Sequence, residues 1–177
     1  MSEIPRTDAL GHTNKGKMII VVGRARSGKT SFSEMLSSIL GLKTAGTSKI
    51  VYEVVAKARG CTVADLLALP KEEIRPTLID VADFLCDGKV DVLSEMLYNR
   101  GYRILDGIRR EEELKAIIHN HECFVVYMQR DKGTVDDNFN ILPTKFMRLI
   151  ENNGTLYDLQ DKASDFAEFY NKSKNLL

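Results

Sequence analysis

The sequence predicts an α/β fold: a three-layer sandwich with helices on both faces of a parallel sheet of about five strands. Three observations carry this expectation. The run "MIIVV", from Met18 up to Gly23, is apolar without interruption and rich in β-branched residues, as a strand buried on both faces requires. "RILD" at 103–106 and "CFVVYMQ" at 123–129 have the same character. Helical periodicity separates the three, so they join through crossover units, which favour parallel pairing.

Ahead of the first strand, "MSEIPRTDALGHTNKGK" (1–17) lacks the apolar centre of a signal peptide and reads as a flexible polar tail. After it a helix is expected from about Gly28 to Leu40. Phe32, Met35, Leu36 and Ile39 recur at three- and four-residue spacing, and Gly41 supplies a stop. "LKTAG" can form a short second strand. From Ile50 to Arg100 the pattern is helical, punctuated by Gly60, Pro70 and Gly88, which predicts a helical flap over one end of the sheet. "REEELKAIIHN" reads as a helix between the two later strands. "FMRLIEN" reads as a last strand, and "TLYDLQDKASDFAEFYN" as a final helix with Tyr157, Phe166 and Phe169 packed in the core.

A chain of 177 residues with 44% hydrophobic content can bury one sizeable core, and a prior of roughly 150 residues per domain favours a single unit. Its 25 basic and 25 acidic side chains cancel without long blocks of either sign, which argues against a nucleic-acid groove or an anionic membrane surface. No apolar run approaches the roughly 20 residues of a membrane span. Cys61, Cys86 and Cys123 are odd in number and far apart, which fits a reducing cytosol better than a disulfide framework. His119 and His121 read as surface-turn residues rather than metal ligands.

The chemistry is concentrated after the first strand. "GRARSGKT" matches GxxxxGK[ST] with Gly23, Gly28, Lys29 and Thr30 in the fixed positions. The two glycines permit backbone conformations that turn successive N–H groups inward, cradling a polyphosphate at a helix N-terminus. Lys29 adds positive charge at the β/γ oxygens, and the Thr30 hydroxyl is placed to ligate Mg²⁺. Ser27 and Ser31 complete the expected ATP-binding loop. Arg26 either reaches a phosphate or projects into water, and Arg24 has the same two options.

A second cluster lies in "RILDGIRREEE". An acid at the C-terminal end of a buried parallel strand lies in the crevice where ligands bind, so Asp106 can meet the magnesium shell or a substrate hydroxyl. The alternative is a helix cap, since Glu111 to Glu113 follow. Arg109 and Arg110 share that loop, and at least one can steady acceptor phosphate charge, although for Arg110 the plainer reading, a solvated residue at the start of a helix, is favoured. Arg75, just before Pro76, is a substrate arginine or a surface ion-pair partner, and Lys49 is similar. Arg130, past the "CFVVYMQ" strand, stands where a residue can approach the transferred phosphoryl.

The combination of "GRARSGKT", "YRILDGIRREEE" and "ENNGTLYDL" resembles the deoxynucleoside monophosphate kinases of bacteriophages, within the P-loop nucleoside monophosphate kinases. The resemblance spans roughly residues 18 to 170. It implies a P-loop kinase domain over 18–177, with an acceptor-binding helical region at about 46–100 and a lid at about 130–145. It places Asp106 and Arg109 on the monophosphate side and Asn153, Gly154 and Thr155 beside the adenine. Arg75 and Lys49 would serve the acceptor. The sequence departs from the family pattern in having Thr30 where Asp often follows the loop lysine, and no acid before Lys49.

The expected activity is therefore transfer of the ATP γ-phosphoryl to a nucleoside monophosphate, with Mg²⁺, in the cytoplasm, which is the host's for a phage-encoded chain. Lys29, Asp106, Arg109 and Arg130 form the expected catalytic set. No nucleic-acid or membrane partner is expected, and a homodimer stays an open option. Two rivals remain: a P-loop kinase for another small molecule, and a noncatalytic nucleotide switch, for which the guanine-reading Asn-Lys-x-Asp is missing.

Overall fold

Met18, Ile19, Ile20, Val21 and Val22 are all at or near zero exposure and form β1 (Met18–Gly23). Alternate residues serve two different cores. Ile19 and Val21 pack with Phe32, Leu36, Phe166 and Tyr170, whereas Met18, Ile20 and Val22 pack with Leu97, Leu114 and Ile117. Each such side chain contributes roughly 1.5–3 kcal/mol by leaving water. This two-sided burial is why the strand reads as an unbroken apolar run.

The computed structural model describes residues 17–131 and 139–174. Most of the tail expected over 1–17, and residues 132–138 of the expected lid, lie outside the described residues. After β1 come α1 (Lys29–Leu40), β2 (Lys43–Gly46), α2 (Ser48–Arg59), α3 (Val63–Leu67), α4 (Lys71–Cys86) and α5 (Val92–Asn99). Then follow β3 (Tyr102–Asp106), α6 (Glu111–Asn120), β4 (Cys123–Gln129), β5 (Arg148–Glu151) and α7 (Leu156–Lys174). The five strands form one sheet in the order β2-β3-β1-β4-β5, and every pairing is parallel.

Helices α1 and α7 cover one face, joined by the edge-to-face pair Phe32–Phe166 at 6.2 Å. Helices α5 and α6 cover the other. The flap has a small core of its own, built from Val51, Val55, Ala56, Leu66 and Ile74. Pro76 sits inside α4 without interrupting it. It removes one i→i−4 bond, but Ile74 and Leu78 hold the helix against α2 and α3.

The helices end as their chemistry dictates. Gly41 and Gly60 adopt left-handed φ of 66° and close α1 and α2. Thr62 with Asp65, and Thr155 with Asp158, form reciprocal capping boxes that start α3 and α7.

Three expectations are corrected. Tyr157 is 83% exposed and Phe169 43% exposed, so of the three aromatic residues expected in the α7 core only Phe166 is fully buried. Tyr157 lies in the first turn, before the helix reaches α1, and its place in the core face is taken by Leu159 and Ala163. His121 lies in the turn after α6, as expected, but not at the surface: half-buried, it pairs with Glu95 and stacks on Tyr98. All three cysteines are free and half-buried. Burial pushes the Cys123 thiol up to about 12, which leaves it inert. Among the described residues no helix is long and apolar enough to cross a membrane.

Candidate active site

In a parallel sheet every strand delivers its C-terminal end to the same edge. Here that edge gathers the loops after all five strands: Arg24–Gly28 after β1, Thr47 after β2, Gly107–Arg110 after β3, Arg130 after β4 and Asn152–Thr155 after β5. Segments far apart in sequence thus converge because of strand direction alone.

The loop after β1 turns through Gly23 at φ 149°, Arg26 at φ 61° and Gly28 at φ 94°. The N-cap of α1 is Gly28, with no side-chain cap and no acid in the first turn. Gly28 therefore brings no side-chain acceptor of its own to the opening N–H groups of α1, which suits an anion. Lys29 Nζ donates to the Arg24 carbonyl at 2.7 Å, folding its ammonium back over the loop. Ser27 is buried, while Arg26, Thr30 and Ser31 are exposed at the loop and the first turn.

Asn152, just past β5, seats this loop. It is buried, its N–H donates to Gln129 O at 2.7 Å, and its Nδ2 donates to Ser27 O at 3.0 Å. In a trans peptide the C=O and N–H point in opposite directions. Holding the Ser27 carbonyl toward Asn152 therefore turns the Gly28 N–H away from Asn152, to the opposite side. A Cβ on Gly28 would collide with the Asn152 amide. Gly28→Ala is thus expected to lower the melting temperature by at least several degrees, since a non-glycine residue at left-handed φ alone costs about 1–2 kcal/mol. An unchanged melting curve would show that the loop does not rest on Asn152.

Asp106 is the last residue of β3, five residues ahead of α6, whose N-cap is Arg110. The helix-cap alternative is therefore excluded. Asp106 is 9% exposed, and its carboxyl hydrogen-bonds the Thr30 side chain. Burial raises its pKa above the ordinary carboxylate value, opposed by Thr30 and by the charge of Lys29. Gly46 makes room for it, since a Cβ there would meet Asp106 Oδ1 at 2.8 Å. One hydroxyl plus one carboxylate is a donor set that suits Mg²⁺, which binds through one or two protein oxygens together with substrate phosphates. Among the described residues no cluster of three or more His, Cys, Asp or Glu could hold a metal by itself.

Beside Gly107 opens a cavity of about 700 Å³. Arg75, Arg109 and Arg110 line it, facing an apolar wall of Val51, Leu78 and Leu93. Asn140 also contributes: its N–H donates to Arg109 O at 3.1 Å and its Oδ1 accepts the Glu111 N–H at 2.8 Å, which pins the Arg109–Arg110 loop.

The other expected residues lie as follows. Lys49 does not line this cavity; it is ion-paired with Glu53 at 3.1 Å and interacts with Tyr102, so it is held by a surface ion pair. Arg130 is exposed at the same sheet edge as the phosphate loop. The Asn153 amide is bonded to Asp131 through Nδ2 at 2.8 Å and Oδ1 at 3.0 Å, tying together the loops after β4 and β5. Gly154 is required by the α7 capping box, because a Cβ would strike the Asp158 carboxylate. Sequence reasoning missed Asn152, Asn140, Thr47 and Glu113. Asn152 stood within the quoted "ENNGT", but nothing in one sequence separates its buried role from that of Asn153.

No family model matches the chain, and no curated protein matches it in sequence. Its fold is similar to that of solved structures at low identity. A gluconokinase from Sinorhizobium meliloti 1021 is 11% identical, with a TM-score of 0.50 over 90% of this chain and 98% of that one. A structure from Chloroflexus aurantiacus j-10-fl is 14% identical, with a TM-score of 0.51 over 90% and 96% of the two chains. A sugar kinase from Janibacter sp. HTCC2649 is 13% identical, with a TM-score of 0.44 over 86% and 95%. The five-stranded parallel sheet between helical layers is thus an architecture this chain shares with a solved kinase.

Proposed function

We propose that this chain is a phosphotransferase that moves the γ-phosphoryl of ATP onto a nucleoside monophosphate. The observation that carries the reading is the cavity beside Gly107, which combines three arginines with an apolar wall. Guanidinium groups suit the phosphate of the acceptor. Val51, Leu78 and Leu93 suit a flat base better than a polyhydroxylated chain, whose hydroxyls they would leave without partners. The resemblance to phage kinases favours a deoxynucleotide.

Such a transfer asks for positioning and charge neutralisation more than for covalent chemistry. The N–H groups of the loop and the Lys29 ammonium hold the donor phosphates. Thr30 and Asp106 are the residues that would hold Mg²⁺. The ion, when bound, neutralises charge on the β/γ oxygens. Arg75, Arg109 and Arg110 hold the acceptor phosphate, one oxygen of which attacks the γ-phosphorus as the bond to the β-phosphate oxygen breaks, releasing ADP. Arg130 approaches the transferring group from the β4 loop. The flap helices close over the reactants, excluding water that would otherwise compete for the phosphoryl.

A coupled ADP-release assay with ATP, Mg²⁺ and a panel of ribo- and deoxynucleoside monophosphates tests this. Gluconate belongs in the panel, because one neighbour in fold is a gluconokinase. Turnover of monophosphates is expected; turnover of gluconate alone would move the acceptor to the sugar-acid class. Neutral substitution of Arg75 or Arg109 should raise the monophosphate KM about tenfold or more while leaving ATP binding nearly intact. Equal weakening of ATP in direct titration would place these arginines on the donor side.

A further inference from the structure

The first turn of α2 lines the acceptor cavity through Thr47, its N-cap, and Ser48, its first residue. The opening N–H groups of a helix lack partners within the helix and attract anions. α2 is 12 residues long, with no acid in its first turn and no side-chain cap. On its own such an end is only a weak attraction. The Thr47 hydroxyl adds a second donor at the same place.

Thr47 is 8% exposed. A capping threonine ordinarily has extended backbone angles, which let its oxygen accept from the second or third N–H of the helix. Thr47 instead has helical angles, φ −58° and ψ −28°, and its own N–H donates to Asp106 O at 3.1 Å. Its hydroxyl therefore makes no capping bond, and it has no other hydrogen-bond partner among the described residues. The Ser27 and Ser33 hydroxyls are also unpartnered, but they are sealed from solvent, and that of Thr47 is not. It lies toward Gly107, where an added Cβ would stand 3.2 Å from Thr47 Oγ1, and Gly107 lines the same cavity.

Location selects the ligand. The Thr47 N–H ties α2 to Asp106, whose carboxyl bonds the Thr30 side chain at the phosphate loop. One residue thus links this helix end to the donor side. In phosphoryl transfer the part of the acceptor that has to stand closest to the donor is the attacking group, here a phosphate. Among the described residues lining the cavity, three arginines face one acid, Glu113, which is bonded to Ser94. The cavity is therefore positive.

We infer that the acceptor phosphate docks on the N-terminus of α2, with the Thr47 hydroxyl donating to one of its oxygens and the Ser48 and Lys49 N–H groups facing the others. The inference rests on the proposed function above. The arginines supply charge from long, rotatable side chains, whereas the helix end fixes where the phosphorus stands.

The test is direct titration of dGMP, dTMP, dAMP and dCMP, and of the four matching deoxynucleosides, into wild type, Thr47→Val and Thr47→Ser. Turnover of the same monophosphates with ATP and Mg²⁺ is measured alongside. Valine keeps the shape of threonine and removes the hydroxyl. Thr47→Val should weaken every monophosphate by about 10–100-fold, the usual worth of one hydrogen bond to a charged group. The factor should be the same for all four bases, because the phosphate is what they share. The deoxynucleosides should bind as they do to wild type. Thr47→Ser should restore monophosphate binding, and the KM for ATP should stay unchanged throughout. Equal weakening of nucleosides and monophosphates overturns the inference, since it puts the hydroxyl on the base or sugar. Unchanged monophosphate binding in Thr47→Val overturns it too. Either result, with wild-type turnover intact, leaves the kinase reading standing. A wild type that neither binds nor turns over any of the four overturns both. If Thr47→Val fails to fold, Thr47→Ala makes the same comparison.

Discussion

Lys29→Ala is expected to lower kcat by about 10²–10³-fold, the usual loss when one preorganised positive donor is removed from a developing transition state. The effect should fall on kcat more than on folding. In the structure the Lys29 ammonium makes a hydrogen bond to a carbonyl of its own loop, Arg24 O. Nucleotide phosphates offer the ammonium a stronger, charged acceptor. The decisive pair of measurements is single-turnover phosphoryl transfer and thermal melting on one preparation. A wild-type rate in Lys29→Ala would mean that the loop binds nucleotide without taking part in transfer.

Asp106→Asn should also lower kcat by about 10²-fold or more, because the residue meets Thr30 where the metal is expected and bears charge beside the reacting phosphates. Its effect on stability should have the opposite sign. Burial raises the Asp106 pKa from its ordinary 3.8, so the folded state resists ionising it. The resulting penalty grows as pH rises from the unfolded value through the folded one. Asn keeps the shape and removes the charge, so the variant should melt at the same or a higher temperature at pH 7. That advantage should vanish at pH values below the unfolded pKa, where Asp106 is protonated in both states. The apparent Mg²⁺ requirement should rise. Unchanged kcat with unchanged Mg²⁺ dependence would return Asp106 to a purely structural role.

The sequence by itself determined the fold class and the sharp turn of the loop after β1. Both follow from local rules. "MIIVV" has to be buried on two faces, because neither alternate set of its side chains is polar. "GRARSGKT" has to turn sharply, because Gly23 and Gly28 adopt backbone angles that other residues strongly resist. The helical flap was legible in its 3.6-residue periodicity, including the stretch interrupted by Pro76. These signals survive in one chain because each is written in neighbouring residues.

What depends on distant neighbours was decided only by tertiary structure. Asn152 and Asn153 are adjacent and chemically identical, yet one is turned inward to Ser27 and the other outward to Asp131. The strand pairing β4–β5 sets that difference by placing Glu151 against Gln129. Lys49 carried the same charge as the arginines of the cavity beside Gly107, but one turn of α2 places Glu53 within reach and holds it aside. That Asp106 does not cap α6 was decided by where β3 ends and α6 begins. Glu113 was one of three consecutive glutamates, singled out only when α6 turned it toward Ser94 and left its two neighbours exposed. The physical reason is common to all four cases: a side chain's charge and polarity are properties of the residue, but its burial and its partners are properties of the packing.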